Sequence, residues 1–328
     1  MPDDPNERGG AGEGGGGDHT GESATTIAFA FAANLVIALA KLVGGLISGS
    51  VAMLAEAGHS LADTVNQVFL GVSLSLGARP ADSEHPFGYG KERFFWAFLA
   101  AAFIFVAGAV FSLGEGIRAL WGQGGDESFL IAYVVLGVAL VAEVTSLVRA
   151  LQQTGREARE HGRSLREHLR VTKDPTTKVV VLEDSAAVVG IVLAAGSIAI
   201  HQLTGNHRWD AVGSIAIGVL LAYVAYRLGR DTKDLLLGEA ALPEDQDAMR
   251  RAILGHDEVV DVYELLTMAI GPHDLLVAVR AELRDDLDAA AVHQVCERVD
   301  RSVHDAVPDV RQFFIDPTPR RRGDPATT

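Results

Sequence analysis

His59 and Asp63 lie four residues apart in an otherwise apolar segment. On an α-helix this spacing places an imidazole and a carboxylate on one face, where both can bind one ion. A second ionisable pair, Glu183 and Asp184, stands near the start of a later apolar segment. Acids inside a membrane are costly, and a functional site is the default interpretation. Together the two pairs indicate a metal pathway through a membrane.

The donor types narrow the choice of ion. Imidazole with carboxylate suits Zn²⁺, which usually takes four ligands, so two more are needed. Asp184 is the best candidate. Glu183 lies about 100° away around the helix, and we interpret it as a supporting group, a proton carrier or an alternate ligand. The alternatives are hydrogen bonding between helices for the polar residues near His59, and a helix-start carboxylate pair that faces headgroups.

The elements that must position these residues are apolar spans. Six segments are long enough to cross a bilayer, which takes about 20 residues each. They cover residues 26–49, 52–76, 94–120, 129–150, 177–201 and 211–228. The mean hydropathy of +0.19 agrees, because it averages this apolar part with a polar C-terminal part. The sequence therefore predicts an α-helical membrane protein with a six-transmembrane-helix bundle over residues 25–230.

Charge and composition orient this bundle and exclude some partners. Basic residues cluster around two loops, after the second and fourth spans, so the positive-inside rule places both termini in the cytoplasm. These residues are Arg79, Lys91, Arg93, Arg149, Arg156, Arg159, Arg163, Arg166, Arg170, Lys173 and Lys178. The net charge of −15 argues against nucleic acid as a partner. The single cysteine, Cys296, excludes an intramolecular disulfide and a multi-thiolate zinc site.

The C-terminal part reads as a small α/β domain over residues 231–317. Helical periods at 243–254 and 288–306 alternate with strand patterns at 259–268, 275–283 and 310–315. This order is compatible with a ferredoxin-like sandwich. The Gly-rich and acidic segment 1–24 and the Pro-rich and Arg-rich segment 318–328 are predicted to be disordered tails.

From the first span to about Pro317, the sequence resembles the cation diffusion facilitator family of divalent cation/proton antiporters. The motifs that carry the resemblance are 59–67, 79–92 and 182–187. The forms containing His59 and the Glu183-Asp184 pair are most similar to the zinc transporter nine-like branch. The resemblance implies efflux of a divalent cation, zinc first, from the cytoplasm across the plasma membrane in exchange for protons. It also implies a homodimer joined through the cytoplasmic domain and surrounded by membrane lipid.

The family's transport site differs from this chain at two positions. It usually has Asp-x-x-x-Asp in the second span and His-x-x-x-Asp in the fifth, and the matching residues here are His59, Asp63, Val180 and Asp184. Val180 cannot ligate, which leaves water or Glu183 for the fourth position. A site with one imidazole also suits Mn²⁺, Fe²⁺ or Co²⁺. The metal is expected as transported substrate, with no prosthetic group.

The family resemblance extends to a second metal site in the loop after the second span. Asp82 and His85 match two of its ligands, and Tyr89 stands where a further histidine is expected. The alternative is a turn built on Pro86 and Gly88. We expect no enzyme, since the chain lacks His-Glu-x-x-His and Gly-x-Ser-x-Gly motifs. A transport-deficient regulatory or scaffold membrane protein stays open as an alternative function.

Overall fold

The computed structural model of the chain describes residues 19–121, 128–160 and 162–318. The predicted tails fall mostly outside these ranges, although the first helix begins at His19, inside the segment 1–24. The long helices of the N-terminal part are α1 (His19–Ser48), α2 (Val51–Gly77), α3 (Glu92–Phe103), α4 (Phe111–Ala119), α5 (Phe129–Glu160), α7 (Pro175–Thr204) and α8 (Arg208–Leu237), with the short α6 (Leu165–Val171) before α7.

Within the described ranges, four helical segments are long and apolar enough to cross a membrane. They are Glu92–Ala119, Phe129–Glu160, Pro175–Thr204 and Arg208–Leu237. The other two predicted spans are also helical and pack in the same bundle: α1, with an apolar stretch at Asn34–Ser48, and α2. Polar residues along one side of α2 lower its hydropathy. The prediction of an α-helical membrane bundle is confirmed.

Local sequence signals account for several helix ends. Ser50 caps the start of α2, where its side chain accepts a hydrogen bond from the backbone N–H of Met53. Asp174 does the same for α7, and Pro175 follows at a first-turn position where no N–H is needed. Gly205 and Gly238 end α7 and α8 in the left-handed conformation. Ser50 and Gly205 lie in the two short turns, the first between α1 and α2 and the second between α7 and α8.

The third span is not a uniform α-helix. Between α3 and α4 the chain forms a π-helical segment, Ile104–Val110, whose Ile104, Gly108 and Ala109 are buried. Such segments insert extra backbone into a helix and are frequent at functional sites. Gly218 of α8 packs closely against α4, since a Cβ there would be 2.9 Å from the backbone nitrogen of Leu113. The contact between α4 and α8 therefore requires glycine at this position.

The C-terminal part forms the predicted small α/β domain. Its elements are α9 (Pro243–Leu254), β1 (Val259–Gly271), β2 (Asp274–Leu283), α10 (Ala289–Ala306) and β3 (Val310–Asp316). The sheet order is β1-β2-β3; β1 and β2 are antiparallel, and β2 and β3 are parallel. β1 runs three residues beyond the predicted end at 268, because Gly271 and Asp274 still pair across the hairpin.

The domain packs directly against the bundle. Its core is formed by apolar side chains of α9, α10 and the sheet, among them Met249, Val277 and Val299. Phe94 of α3 and Leu235 of α8 belong to the same core, and each is at most 1% exposed. The ends of two membrane helices therefore help to fold the C-terminal domain.

Candidate metal centre in the helix bundle

The predicted pair on α2 is buried inside the bundle. The His59 Nδ1 and Asp63 Oδ1 atoms are 3.4 Å apart, and the His59 side chain is 1% exposed. Among the described residues, neither ring nitrogen of His59 has a hydrogen-bond partner, and Asp63 Oδ1 has none either. Buried polar atoms are nearly always satisfied in folded proteins, so an unpaired set requires an explanation such as a bound ion.

Glu183 of α7 faces the same side of α2. Its Oε2 atom accepts a hydrogen bond from Asn66 Nδ2, one turn after Asp63. Its other oxygen, Oε1, is buried and has no hydrogen-bond partner among the described residues. Asn66 thus holds the Glu183 carboxylate with one oxygen free.

Asp184 points to a different helix. Its Oδ2 atom accepts a hydrogen bond of 2.7 Å from the Ser146 hydroxyl of α5. Neighbouring side chains on a helix diverge by about 100°, so α7 presents Glu183 to α2 and Asp184 to α5. Our prediction that Asp184 is the main ligand and Glu183 its support stays a prediction. Among the described residues, the α7 carboxylate oxygen that is buried without a hydrogen-bond partner belongs to Glu183.

Negative charge dominates the surroundings of this pair. Glu143 of α5 and the Glu183–Asp184 pair of α7 lie close enough to Asp63 to repel its negative charge, while the Lys41 ammonium of α1 attracts it. In the part of the chain that the structure describes, no three His, Cys, Asp or Glu side chains are gathered closely enough to hold a metal ion. The arrangement offers imidazole and carboxylate donors that a cation would draw together.

Sequence reasoning missed a second charged group beside this site. Lys41 is fully buried; its Nζ atom donates to Glu56 Oε2 at 3.1 Å and to Ser60 Oγ at 2.7 Å. Glu143 Oε1 lies 3.9 Å from the same nitrogen. The available signals in the sequence were Lys41, in the middle of the first apolar segment, and Glu143, inside the fourth. Ionisable residues within apolar segments mark functional positions in membrane proteins.

The loop site predicted at Asp82 and His85 has a different character. Asp82 Oδ1 accepts backbone hydrogen bonds from Glu84 and His85 at 2.9 and 2.7 Å. Its Oδ2 accepts the Tyr89 hydroxyl at 2.7 Å. That hydrogen bond lowers the pKa of Asp82 below its usual value and raises the pKa of Tyr89. The carboxylate therefore closes a turn, and a metal site here stays a prediction.

Known proteins resemble the chain along both parts. A model of the cation efflux transmembrane domain matches residues 27–237. Metal tolerance protein C4 of Arabidopsis thaliana is 35% identical over 226 residues, which are 69% of this chain and 49% of the relative. The human mitochondrial proton-coupled zinc antiporter SLC30A9 is 31% identical over 252 residues, which are 77% of this chain and 44% of the relative.

The match to one bacterial relative covers most of both chains. The cation-efflux pump FieF of Cronobacter sakazakii is 27% identical over 279 residues, which are 84% of this chain and 86% of the relative. The chain spans about half the length of the plant and human relatives. The domain match, the relatives and the helical bundle agree that the chain is a membrane protein of the cation diffusion facilitator family, on the SLC30A9-like branch.

Proposed function

We propose that this chain exports Zn²⁺ in exchange for protons, through a site formed by His59, Asp63 and Glu183, with Asp184 as a further ligand. The observation that carries the proposal is the set of buried polar atoms without a hydrogen-bond partner among the described residues: the two His59 ring nitrogens, one of which is an acceptor in the neutral ring, with Asp63 Oδ1 and Glu183 Oε1. These atoms are metal-ligand types, and they come from two helices that a shared ion would bridge. The name of the human relative, a proton-coupled zinc antiporter, supports the same ion and coupling.

Proton exchange follows from the ligand chemistry. A ligand must lose its proton before it binds metal, so metal binding releases protons and protonation releases metal. In the proposed cycle, Zn²⁺ arrives from the cytoplasm, displaces protons from His59 and the carboxylates, and leaves on the opposite side. Protons from that side then refill the site. An acidic outer compartment favours export because it drives the last step.

The donor atoms of the proposed site are compatible with several divalent ions. One imidazole and two or three carboxylates bind Zn²⁺, and the same donors accept Mn²⁺, Fe²⁺ or Co²⁺. Geometry and metal supply decide among these ions more than raw affinity does. We place zinc first because His59 is a nitrogen donor, and because the relative on this branch is named for zinc.

We further propose a membrane placement and an assembly. Both termini lie in the cytoplasm, because the basic residues cluster on the loops at that side. The membrane is the plasma membrane, although the SLC30A9 relative is mitochondrial. Residues 25–230 form the transport domain, and residues 231–317 form the α/β domain through which two copies join.

Reconstitution tests the transport site. The purified chain is placed in liposomes with an acidic lumen and a metal-sensitive dye, and uptake of Zn²⁺, Mn²⁺, Co²⁺ and Fe²⁺ is compared. Asp63→Asn keeps the shape of the side chain and removes its charge. Asp285→Asn makes the same change at an exposed position after β2 and serves as the matched control.

The expected result is uptake that needs the pH gradient, falls at least tenfold in Asp63→Asn, and stays near the wild-type rate in Asp285→Asn. Uptake that survives Asp63→Asn would contradict the site. Uptake without the gradient would contradict proton exchange. No uptake of any ion by the wild type would favour the regulatory alternative.

A further inference from the structure

Lys41 occupies a position that resembles a cation site more than an ordinary ion pair. Its ammonium nitrogen lies 2.7 Å from Ser60 Oγ and 3.1 Å from Glu56 Oε2. A second carboxylate oxygen, Glu143 Oε1, is 3.9 Å away. The surrounding oxygen atoms come from α2 and α5, and the nitrogen comes from α1. One positive charge is thus enclosed by two carboxylates and a hydroxyl.

The pocket has unused capacity for positive charge. Glu56 is fully buried, and its Oε1 atom has no hydrogen-bond partner among the described residues. That oxygen lies against the backbone of α7 at Gly190, where any Cβ would overlap it. A carboxylate that is buried with an unpaired oxygen is costly unless a cation or a proton compensates it.

We infer that Glu56, Ser60 and Glu143 form a second cation pocket, and that the Lys41 ammonium fills it as a tethered ion. Lys41 thereby restricts the bundle to a single mobile divalent ion at the neighbouring His59–Asp63 pair. The donor set is all oxygen, which suits hard divalent cations such as Mn²⁺ or Mg²⁺. The role of Lys41 is to hold the pocket, and it need not touch the transported ion.

Geometry supports an exchange of lysine for metal. Oxygen ligands bind small divalent ions at roughly 2.0 to 2.2 Å, so the three oxygens would close in on the position that Nζ now holds. The chain keeps Glu56 and Glu143 on different helices, and both side chains have rotatable bonds that allow this approach. A divalent ion also balances two carboxylates fully, whereas the lysine balances one.

The test counts bound ions with Mn²⁺ as the probe. The full-length chain in detergent is titrated with Mn²⁺, and electron paramagnetic resonance gives the number bound per chain. Lys41→Met removes the ammonium group and keeps an unbranched side chain that is one atom shorter. Lys233→Met is the matched control, since this exposed lysine pairs with Asp234 at 3.0 Å on the surface.

We expect Lys41→Met to bind one more Mn²⁺ per chain than the wild type. The extra ion should disappear in the double variant Lys41→Met/Glu56→Gln, and Lys233→Met should match the wild type. Any Mn²⁺ at the His59–Asp63 pair or elsewhere is common to all variants and cancels in the difference. The result is therefore separate from the transport assay, and either proposal can fail alone.

Three results would overturn the inference. The first is a folded Lys41→Met chain that binds the wild-type number of ions, and the second is a Lys41→Met chain that keeps the extra ion after Glu56→Gln. The third is a Lys41→Met chain that does not fold even with Mn²⁺ present during purification, because a pocket that accepts an ion should be rescued by it. Recovery that needs both Mn²⁺ and Glu56 would support the inference directly.

Discussion

Replacing Asn66 tests which acid of α7 binds the transported ion. Asn66 donates a hydrogen bond to Glu183 Oε2 and leaves Glu183 Oε1 free inside the bundle. Asn66→Leu keeps a similar volume and removes this donor, so the Glu183 carboxylate loses its fixed orientation. Loss of a group that orients a metal ligand typically weakens affinity about 10- to 100-fold. This corresponds to roughly 1.4 to 2.8 kcal/mol of binding free energy.

Ser146→Ala is the matched comparison. The Ser146 hydroxyl donates to Asp184 Oδ2 at 2.7 Å, on the side of α7 that faces α5. Since that carboxylate bonds toward α5 and is proposed only as a further ligand, we expect a loss of less than about threefold, below one typical hydrogen bond of about 1 kcal/mol. Both variants remove one donor to one carboxylate, so they differ mainly in which acid is disturbed.

The assay is Zn²⁺ affinity, measured by competition with a chelating dye on purified protein at one fixed pH. Thermal unfolding checks that each variant is folded. Glu183 is not the main ligand if Ser146→Ala weakens Zn²⁺ binding more than Asn66→Leu does. That order would identify Asp184 as the main ligand, as our sequence analysis predicts. Equal and large losses would indicate that both carboxylates bind the ion.

Two further predictions concern the neighbouring groups. Gly190→Ala places a methyl group against the Glu56 carboxylate and should destabilise the fold by about 1 to 3 kcal/mol. Gly196→Ala is the control, since a Cβ there meets open space, and it should be neutral or stabilising. Thermal unfolding of both variants tests this prediction. Tyr89→Phe removes the hydrogen bond that lowers the pKa of Asp82. The lowered pKa of the Asp82 carboxyl stabilises the turn at pH values above the ordinary carboxyl pKa, and this stabilisation is lost as the pH falls through the lowered pKa. In Tyr89→Phe we expect the pKa of Asp82 to rise, so that the stabilisation is lost at a higher pH. An NMR titration of the carboxyl group measures this pKa, and an unchanged value would contradict the prediction.

Sequence alone was sufficient for most of the architecture, because the signals are local. The alternation in the segment 275–283 matches the burial of every second residue along β2. Apolar stretches of membrane length became helices for the same reason. The π-helical segment at 104–110 was not predicted, since its apolar composition is the same in either kind of helix.

The site was only partly predictable. His59 and Asp63 share one helix, so their spacing alone brings them together. The division of labour between Glu183 and Asp184 depends on how α7 is rotated between α2 and α5, which is a property of packing. Lys41 is 15 residues from Glu56 along the chain, and the pairing appears only when α1 and α2 are laid side by side.

Asp210, at the start of α8, links that helix to the helix that carries the candidate site. Its carboxylate accepts hydrogen bonds from the Ser50 hydroxyl and from the backbone N–H groups of Val51 and Ala52, at the first turn of α2. Any conformation that separates these two helix ends gives up all three hydrogen bonds at once. A movement of α2 in the bundle therefore costs least free energy when α8 moves with it as one rigid body. The hinge of such a movement then lies elsewhere in the bundle.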